Sequence, residues 1–304
     1  MKNGRLGQDT LDKVFRIIFL ICACIAIIAV LSITIFIFSK GIQPFLPGNA
    51  EGNYSLWEFL TGTYWKPSNN IYGIGYMIVA SVFATIGALI IGVPISLLTA
   101  IFIAELAPKK IASIVRTIIE LLASIPSVLY GVFGYAVIVK FVRSISPYNI
   151  GDSMLSVILI LSIMILPTVV SISESAIRAV PRAYKEAAYG LGATKTEVIF
   201  KTILPAGKSG ILAAVVLGVG RAIGETMAVI LVAGNPEGNI PRTIFDQVRL
   251  ITNNIVLEQG YASGLHEEML FATGIVLFVF IIIVNLTLNK IQKGIGETKW
   301  WIEN

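Results

Sequence analysis

Charged residues are scarce in this sequence. Only 13% of its 304 residues are Asp, Glu, Lys or Arg, whereas 56% are hydrophobic, and soluble domains carry about 25% charged residues. A soluble protein could not cover its surface with that composition, so the sequence excludes a soluble globular domain. The mean hydropathy of +0.83 indicates instead a chain whose apolar runs lie in a bilayer, where each crossing helix needs about 20 apolar residues.

Cysteine and histidine are also nearly absent, since the sequence has two cysteines and one histidine. Cys22 and Cys24 are two positions apart and do not face each other on a helix, so we expect neither a disulfide nor a metal site. His266 lies in a polar segment beside Glu267 and Glu268, where we expect it to be solvated rather than catalytic. The sequence has no nucleophile–base set and no G-x-x-x-x-G-K-[ST] phosphate loop. We therefore expect no enzyme activity, and no ATP hydrolysis by this chain.

Six apolar runs are long enough to cross a bilayer, which predicts an all-α, polytopic membrane protein. We expect the crossings at residues 17–38, 74–104, 113–139, 153–173, 209–233 and 269–289. Pro94, Pro126 and Pro167 lie inside the second, third and fourth runs and predict kinks, since neighbouring groups can satisfy the carbonyl that proline frees. The first run has the length of a full crossing and no small-x-small cleavage site follows it, so we expect a retained helix rather than a signal peptide.

The basic residues indicate an orientation. With the N-terminus in the cytoplasm, 16 of the 23 Lys and Arg residues fall inside and 6 fall outside, and Arg221 remains within the membrane. The positive-inside rule therefore predicts that both termini are cytoplasmic, that residues 39–73 and 234–268 face outside, and that residues 174–208 face the cytoplasm. Basic residues placed between apolar runs also argue against nucleic-acid binding.

The predicted crossings and their orientation divide the chain into three parts. They are residues 1–73 (an N-terminal cytoplasmic tail, the first helix and an outer loop), a five-helix core at 74–290 with a cytoplasmic loop at 178–208, and a cytoplasmic tail at 291–304.

The cytoplasmic segment 180–205 has the pattern of two short helices joined at glycine. Pro181 can open the first helix, and the Gly190 and Gly192 pair can break it. Thr194 and Glu197 have the spacing of a capping box for the second helix. A compact amphipathic unit of this kind is suited to docking into a groove on a partner. An ordinary connecting loop is an equally open interpretation.

An arginine and a glutamate occur within the fifth run, in Gly218-Val-Gly-Arg-Ala-Ile-Gly-Glu225. Arg221 and Glu225 are spaced i, i+4, so we expect them to pair on one helix face. The three glycines leave room for a neighbouring helix or an ion. An ionisable group at membrane depth is costly unless it is paired or hydrated. The pair is either a buried structural ion pair, or Arg221 lines the path of an anion while Glu225 orients it and limits how tightly the anion binds. The match of guanidinium to phosphate geometry favours the second interpretation.

Weaker candidates flank the ends and kinks of the runs. Ser124 and Ser127 lie on either side of the proline in the third run. They can offer hydroxyl groups to an oxyanion, or they can satisfy the carbonyls that the kink frees. Two further i, i+4 pairs, expected to be structural, are Arg116–Glu120 and Glu174–Arg178.

Several of these segments resemble a known family. The residues Glu186, Ala187, Ala188, Gly192, Leu204 and Pro205 together resemble the EAA motif of ATP-binding-cassette (ABC) importer permeases. Thr202 stands where that motif usually has isoleucine. The block around Arg221, continued by Ile230-Leu-Val-Ala-Gly-Asn235, closely resembles the permease subunits of bacterial phosphate importers, as do residues 120–134 and 62–67. The combination is more similar to the PstC type than to its PstA-type sister, and it extends through the chain from about residue 10.

The resemblance implies a type I, MetI-like permease in the cell membrane that takes part in ATP-driven phosphate import. By that resemblance Arg221 and Glu225 are translocation residues, and the EAA-like residues receive motion from an ATPase. The implied partners are a homologous PstA-type permease, two cytoplasmic ATPase subunits that hold ATP and Mg²⁺, an extracytoplasmic phosphate-binding protein and membrane lipid; this chain itself binds no cofactor.

Three alternatives stay open at this point. The first is a permease for molybdate, sulfate or phosphonate, which Arg221 alone does not exclude. The second is an ATP-independent transporter or channel, against which the EAA-like loop argues. The third is a membrane-embedded enzyme, against which the lack of a catalytic cluster argues.

Overall fold

The computed structural model describes residues 3–47 and 54–296. Within them, five helical segments are long and apolar enough to cross a membrane, and a sixth arises if a pair of helices bent by 71° counts as one crossing. The five segments are Lys13–Phe45, Gly75–Leu106, Ser127–Ile145, Met154–Arg178 and Leu265–Lys290, and the bent pair joins Lys195–Ala206 to Lys208–Gly224. The prediction of an all-α, polytopic membrane protein with about six crossings is confirmed.

The helices are numbered in chain order. The longer ones are α1 (Asn3–Gly41), α3 (Gly75–Ile101), α4 (Lys109–Ser124), α7 (Met154–Arg178), α11 (Lys208–Gly224) and α14 (Leu265–Gly296). The shorter ones are α2 (Leu56–Thr61), α5 (Ser127–Phe133), α6 (Val139–Ile145), α8 (Arg182–Gly190), α9 (Lys195–Glu197), α10 (Leu204–Ala206), α12 (Met227–Ile230) and α13 (Ile251–Glu258). Wider π turns extend α3 at Phe102–Leu106, join α5 to α6 at Gly134–Ile138, and join α9 to α10 at Val198–Ile203.

Helix α7 lies at the centre of the molecule and packs against α3 and α11. Its sequence up to Pro167 is largely apolar on every side, as expected of a buried helix, and Leu161, Ile165 and Val169 are fully buried. Lipid tails are as apolar as leucine, so close packing holds such helices together in a membrane. A Cβ atom at Gly218 would lie only 2.7 Å from Cγ2 of Val169. The glycine therefore lets α11 lie directly against α7.

Helix α1 lies at the periphery. Its contacts are with α14 and with the turn that follows α1 itself, and they include edge-to-face rings of Phe36 with Phe271 and of Phe38 with Phe278. The most apolar part of α1 is not buried by the rest of the chain. The five remaining crossings thus form the core without it.

The bounds of the predicted third crossing, 113–139, are wrong. The backbone becomes extended at Ile125 (ψ 127°), so α4 ends at Ser124 and α5 begins beyond Pro126. Proline disfavours the helical conformation in the residue before it, which explains why the run divides there. Helix α4 is an amphipathic helix, and the segment that can cross the membrane is Ser127–Ile145. The prolines of the second and fourth runs, by contrast, stay inside α3 and α7.

A cap formed by residues 42–47, 54–74 and 231–264 covers one end of the helices. It contains the antiparallel strands β1 (Trp65–Lys66) and β2 (Ile71–Tyr72), a small departure from an all-α chain. Its two longer segments are joined by backbone hydrogen bonds from Trp65 to Glu237 and from Asn239 to Thr63.

One loop of the cap is fixed by a carboxylate. Burial of Asp246 raises its pKa, but backbone N–H groups of Thr243 and Arg242 donate to the carboxylate and hold the pKa below its usual range. The carboxylate is thereby kept charged, and it organises the turn that carries it.

The expectation that His266 is solvated is wrong. Helix α14 begins at Leu265, so His266 points into the cap, where its Nε2 atom lies 2.7 Å from Oε2 of Glu258. Trp65 Nε1 donates to the same carboxylate at 2.6 Å, and Arg249 forms an ion pair with it. The Arg249 and Glu258 side chains are only 5% and 6% exposed. A buried charge is tolerated when it is paired and hydrogen-bonded, so this cluster is a structural centre of the cap.

Candidate functional site

Residues 182–206 form a compact projection, here called the knob, at the end of the molecule opposite the cap. Helix α8 begins after Pro181, and Gly192 continues the chain with φ +84°, a conformation that side-chain-bearing residues rarely adopt. Thr194 and Glu197 then form the predicted capping box, with both reciprocal hydrogen bonds present. The second helical stretch continues through Pro205 and ends at Ala206. The predicted unit of two short helices is therefore confirmed.

The EAA-like residues occupy different faces of the knob. Glu186, Ala187 and Pro205 are exposed, whereas Ala188 and Leu204 are half-buried and pack toward the membrane helices. The exposed surface is apolar to an unusual degree, since Leu191 is 91% exposed. Other large exposed side chains of the knob are Tyr184, Tyr189 and Phe200. Exposed apolar surface rimmed by polar groups is typical of a protein interaction site.

Ion pairs join the knob to the membrane helices. Lys185 on α8 pairs with Glu105 in the π turn that extends α3. On α7, Glu174 accepts a hydrogen bond from Arg178 at 2.7 Å and also pairs with Arg116 of α4. The predicted Glu174–Arg178 pair is confirmed.

The prediction that Arg116 pairs with Glu120 is wrong. The side chain of Arg116 reaches across to α7 and pairs there with Glu174. The Glu174 carboxylate is the more buried group, with 8% of its side chain exposed, and it gains most from a cationic partner.

Arg221 lies near the end of α11, beside the middle of α7. Its Nη1 atom donates to Oγ1 of Thr168 at 3.2 Å, and its side chain is half-buried. Within the described residues no carboxylate lies within ion-pairing distance of Arg221. A guanidinium at membrane depth is costly without an anionic or aqueous partner. Within the described residues, Arg221 thus has a neutral hydroxyl partner and no carboxylate partner.

The expected pairing of Arg221 with Glu225 on one helix face is wrong, and so is a continuous fifth crossing at 209–233. Helix α11 ends at Gly224, and Glu225 has extended backbone with ψ 132°. Its Oε1 atom accepts a hydrogen bond from the backbone N–H of Ala228 at 3.3 Å, at the start of α12. Thr252 donates to the Glu225 carbonyl oxygen at 3.1 Å. The carboxylate thus caps the break in the helix and does not neutralise the arginine.

The surface around Arg221 is open and lined by hydroxyl groups. Neither Gly220 nor Gly224 has a described neighbour within 4 Å of the position that a Cβ would take. On α7, Ser171 and Ser175 are exposed at three and seven positions beyond Thr168, on the same helix face. The stripe formed by Thr168, Ser171 and Ser175 was not predicted from the sequence. Hydroxyl residues at helical spacing within an apolar run are the pattern that could have indicated it. The stripe extends from Arg221 toward the knob.

Ser124 and Ser127 are not equivalent. Ser124 is exposed and donates to the carbonyl of Leu121 at 2.7 Å, and Tyr130 donates to the carbonyl of Leu122 at 2.6 Å. These hydroxyls satisfy carbonyls left free by the break before α5, which favours the structural interpretation of Ser124. Ser127 is half-buried at the start of α5, and its contact with substrate stays a prediction.

Comparison with known proteins bears on the family and the fold of the chain. Residues 92–296 match the family described as binding-protein-dependent transport system inner membrane component. The chain is 38% identical over 277 residues to the probable ABC transporter permease protein YqgH of Bacillus subtilis, covering 88% of each chain. It is 36% identical over 265 residues to the phosphate transport system permease protein PstC of Pasteurella multocida, covering 79% of this chain and 82% of that protein.

Solved structures of low identity show the fold. A chain of a bacterial alginate ABC transporter, in complex with an alginate-bound periplasmic protein, aligns with a TM-score of 0.69 at 19% identity, over 97% of this chain and 99% of that one. A chain of the MetNI methionine ABC transporter aligns with a TM-score of 0.56 at 16% identity, over 73% and 94%. The predicted MetI-like permease architecture is confirmed. This multi-pass membrane chain therefore belongs to the inner membrane components of binding-protein-dependent transport systems, as an ABC transporter permease subunit.

Proposed function

We propose that this chain is the PstC-type permease subunit of an ATP-driven phosphate importer. The observation that carries the proposal is Arg221, a half-buried guanidinium bonded to a neutral hydroxyl and free of a carboxylate partner in the described residues. Guanidinium offers several donors in a geometry that matches phosphate oxygens. The PstC relatives support phosphate as the substrate.

The open face of α11 supports a path shared with a second permease. In this proposal a homologous PstA-type subunit covers the surface beside Gly220 and Gly224, and the anion passes between the two chains along the stripe from Thr168 to Ser175. Hydroxyl groups both donate and accept hydrogen bonds, so they can replace the water lost by an anion without holding it tightly.

The charge distribution supports one orientation of the chain in the membrane. The knob lies in the cytoplasm in this proposal, with both termini, because 16 of the 23 Lys and Arg residues then lie inside. The cap faces outward and receives an extracytoplasmic phosphate-binding protein. Two cytoplasmic ATPase subunits bind and hydrolyse Mg²⁺-bound ATP; this chain and the second permease each dock one of them, here through Glu186, Ala187 and the apolar residues beside them.

Glu225 gives a reason to prefer phosphate over sulfate. An ionised carboxylate only accepts hydrogen bonds. Near neutral pH phosphate keeps a proton that it can donate to such a group, whereas sulfate and molybdate have none and are repelled by it. Discrimination by an unfavourable contact with the wrong ligand is a general means of specificity. One carboxylate oxygen caps α12, and we propose that the other faces the anion beyond Arg221.

Competition between anions tests this substrate assignment. In cells that carry the complete transporter as their sole phosphate uptake system, excess unlabelled phosphate is expected to reduce uptake of labelled phosphate by about tenfold or more. Equal concentrations of sulfate or molybdate are expected to change it by less than about twofold, because they lack the donated proton. Stronger competition by sulfate or molybdate than by phosphate would assign the chain to another oxyanion importer.

A further inference from the structure

Three ion pairs and one hydrogen bond to a backbone carbonyl connect the knob to three helices of the core. Lys185 of α8 pairs with Glu105, which lies in the π turn at the end of α3. Two residues before Glu105, the carbonyl of Ile103 accepts a hydrogen bond from Arg178 of α7 at 2.9 Å. Arg178 shares Glu174 with Arg116 of α4. Four successive polar contacts thus lead from α8 through α3 and α7 to α4.

The Lys185 side of α8 differs from the side that carries the docking residues. The Lys185 and Glu105 side chains are only 22% and 15% exposed, whereas Glu186 and Ala187 are exposed on the outward surface. Helical geometry separates adjacent positions by about 100°. One side of α8 is therefore free for a partner while the other is fastened to the membrane helices.

Apolar contacts are also present at this junction. Ala188 is half-buried against a cluster that contains Ala100, Ile103 and Ile199. Such contacts are non-directional, so they permit a small helix to slide or roll on its support. An ion pair between partly buried groups requires one geometry, and loss of one partner leaves the other charge uncompensated. The pair therefore fixes the position of α8 relative to α3.

We propose that Lys185 and Glu105 are positioning residues that convert movement of the knob into movement of α3, and that Arg178, Glu174 and Arg116 extend this linkage to α7 and α4. The inference rests on the proposed function, because it assumes that an ATPase moves the knob. The π turn at Phe102–Leu106 lies at the point of attachment, and π turns within helices often mark functional sites. When the knob moves, the pair pulls the end of α3, and Arg178 follows through the Ile103 carbonyl.

A charge exchange tests the linkage. The complete transporter, reconstituted in proteoliposomes with Lys185→Glu or Glu105→Lys in this chain, is expected to show about a tenfold loss of phosphate transported per ATP hydrolysed. ATP hydrolysis itself is expected to continue, since the exposed docking surface is unchanged. The double variant Lys185→Glu/Glu105→Lys restores the pair with reversed signs, and it is expected to return to within about twofold of the wild-type ratio.

The matched control is Lys110→Glu, the same charge reversal at an exposed position of α4 at the same end of the molecule; it is expected to leave the ratio unchanged. Copurification of all subunits establishes that each variant assembles. Single variants with a wild-type ratio, or a double variant no better than either single one, would overturn the linkage. Absence of ATP-dependent phosphate transport by the wild-type complex would instead contradict the proposed function, so the two failures are distinguishable.

Discussion

Replacement of Arg221 by alanine is expected to reduce phosphate uptake by about a hundredfold, because a hydrogen bond to a charged group is worth about 1.5–3 kcal/mol and the guanidinium can make more than one. The half-buried side chain donates to Thr168 and has no carboxylate partner in the described residues. Its loss therefore removes the attraction for an anion and breaks no ion pair of the fold. Uptake of labelled phosphate by cells that carry the variant transporter measures the effect.

Two further variants show whether the loss of uptake comes from the guanidinium group at this position. Arg221→Lys keeps the charge and loses the forked donor geometry, so intermediate uptake is expected. Arg143→Ala, at an exposed position near the end of α6, removes the same side chain away from the proposed path and is expected to have wild-type uptake. All variants should copurify with their partner subunits. Wild-type uptake by assembled Arg221→Ala would reduce Arg221 to a structural residue.

Replacement of Glu186 by lysine is expected to uncouple the transporter. Glu186 is exposed on α8, and it makes no ion pair in the described part of the chain, so the substitution leaves the fold intact and reverses the charge presented to the ATPase. An unfavourable charge at a docking site costs several kcal/mol, and uptake is expected to fall by about tenfold to a hundredfold. Phosphate uptake and ATPase activity of the purified complex are the measurements.

Deletion of Gly192 gives a second route to the same result. The deletion removes the residue with φ +84° that joins the two halves of the knob and so changes their relative orientation. Lys110→Glu, a charge reversal at an exposed position of α4 at the same end of the molecule, is the control for Glu186→Lys and should couple normally. Normal coupling in both the Glu186→Lys and the Gly192 deletion variants would remove the docking role of the knob.

The features that sequence predicted well depend on local spacing. The capping box of Thr194 and Glu197 needs only residues three positions apart, and it forms as expected. The long apolar runs also predicted the crossings, since a bilayer requires each backbone group to be satisfied within a helix. The assignment of translocation and coupling roles to particular residues, and the division of the chain at 73 and 290, stay predictions.

The features that were not predicted from the sequence depend on where helices end and on which side chains a neighbouring helix presents. The predicted runs continue past Ile125 and past Gly224, because run length does not register that the backbone becomes extended just beyond α4 and α11. A spacing of four residues then suggested an Arg221–Glu225 pair that the helix end prevents. Arg116 likewise has a carboxylate four positions away, yet it pairs with Glu174, 58 residues along the chain. Such long-range partners follow from packing, which spacing alone does not specify.

The central claim is that this chain forms part of an ATP-driven path for phosphate, and accumulation of labelled phosphate in proteoliposomes tests it most directly. The vesicles hold this chain, its sister permease and the ATPase subunits, with the phosphate-binding protein at the cap side and ATP at the knob side. Phosphate is expected to accumulate against its gradient at the knob side only when ATP and the binding protein are both present. Equal uptake without ATP, or ATP-driven accumulation of sulfate in preference to phosphate, would contradict the account.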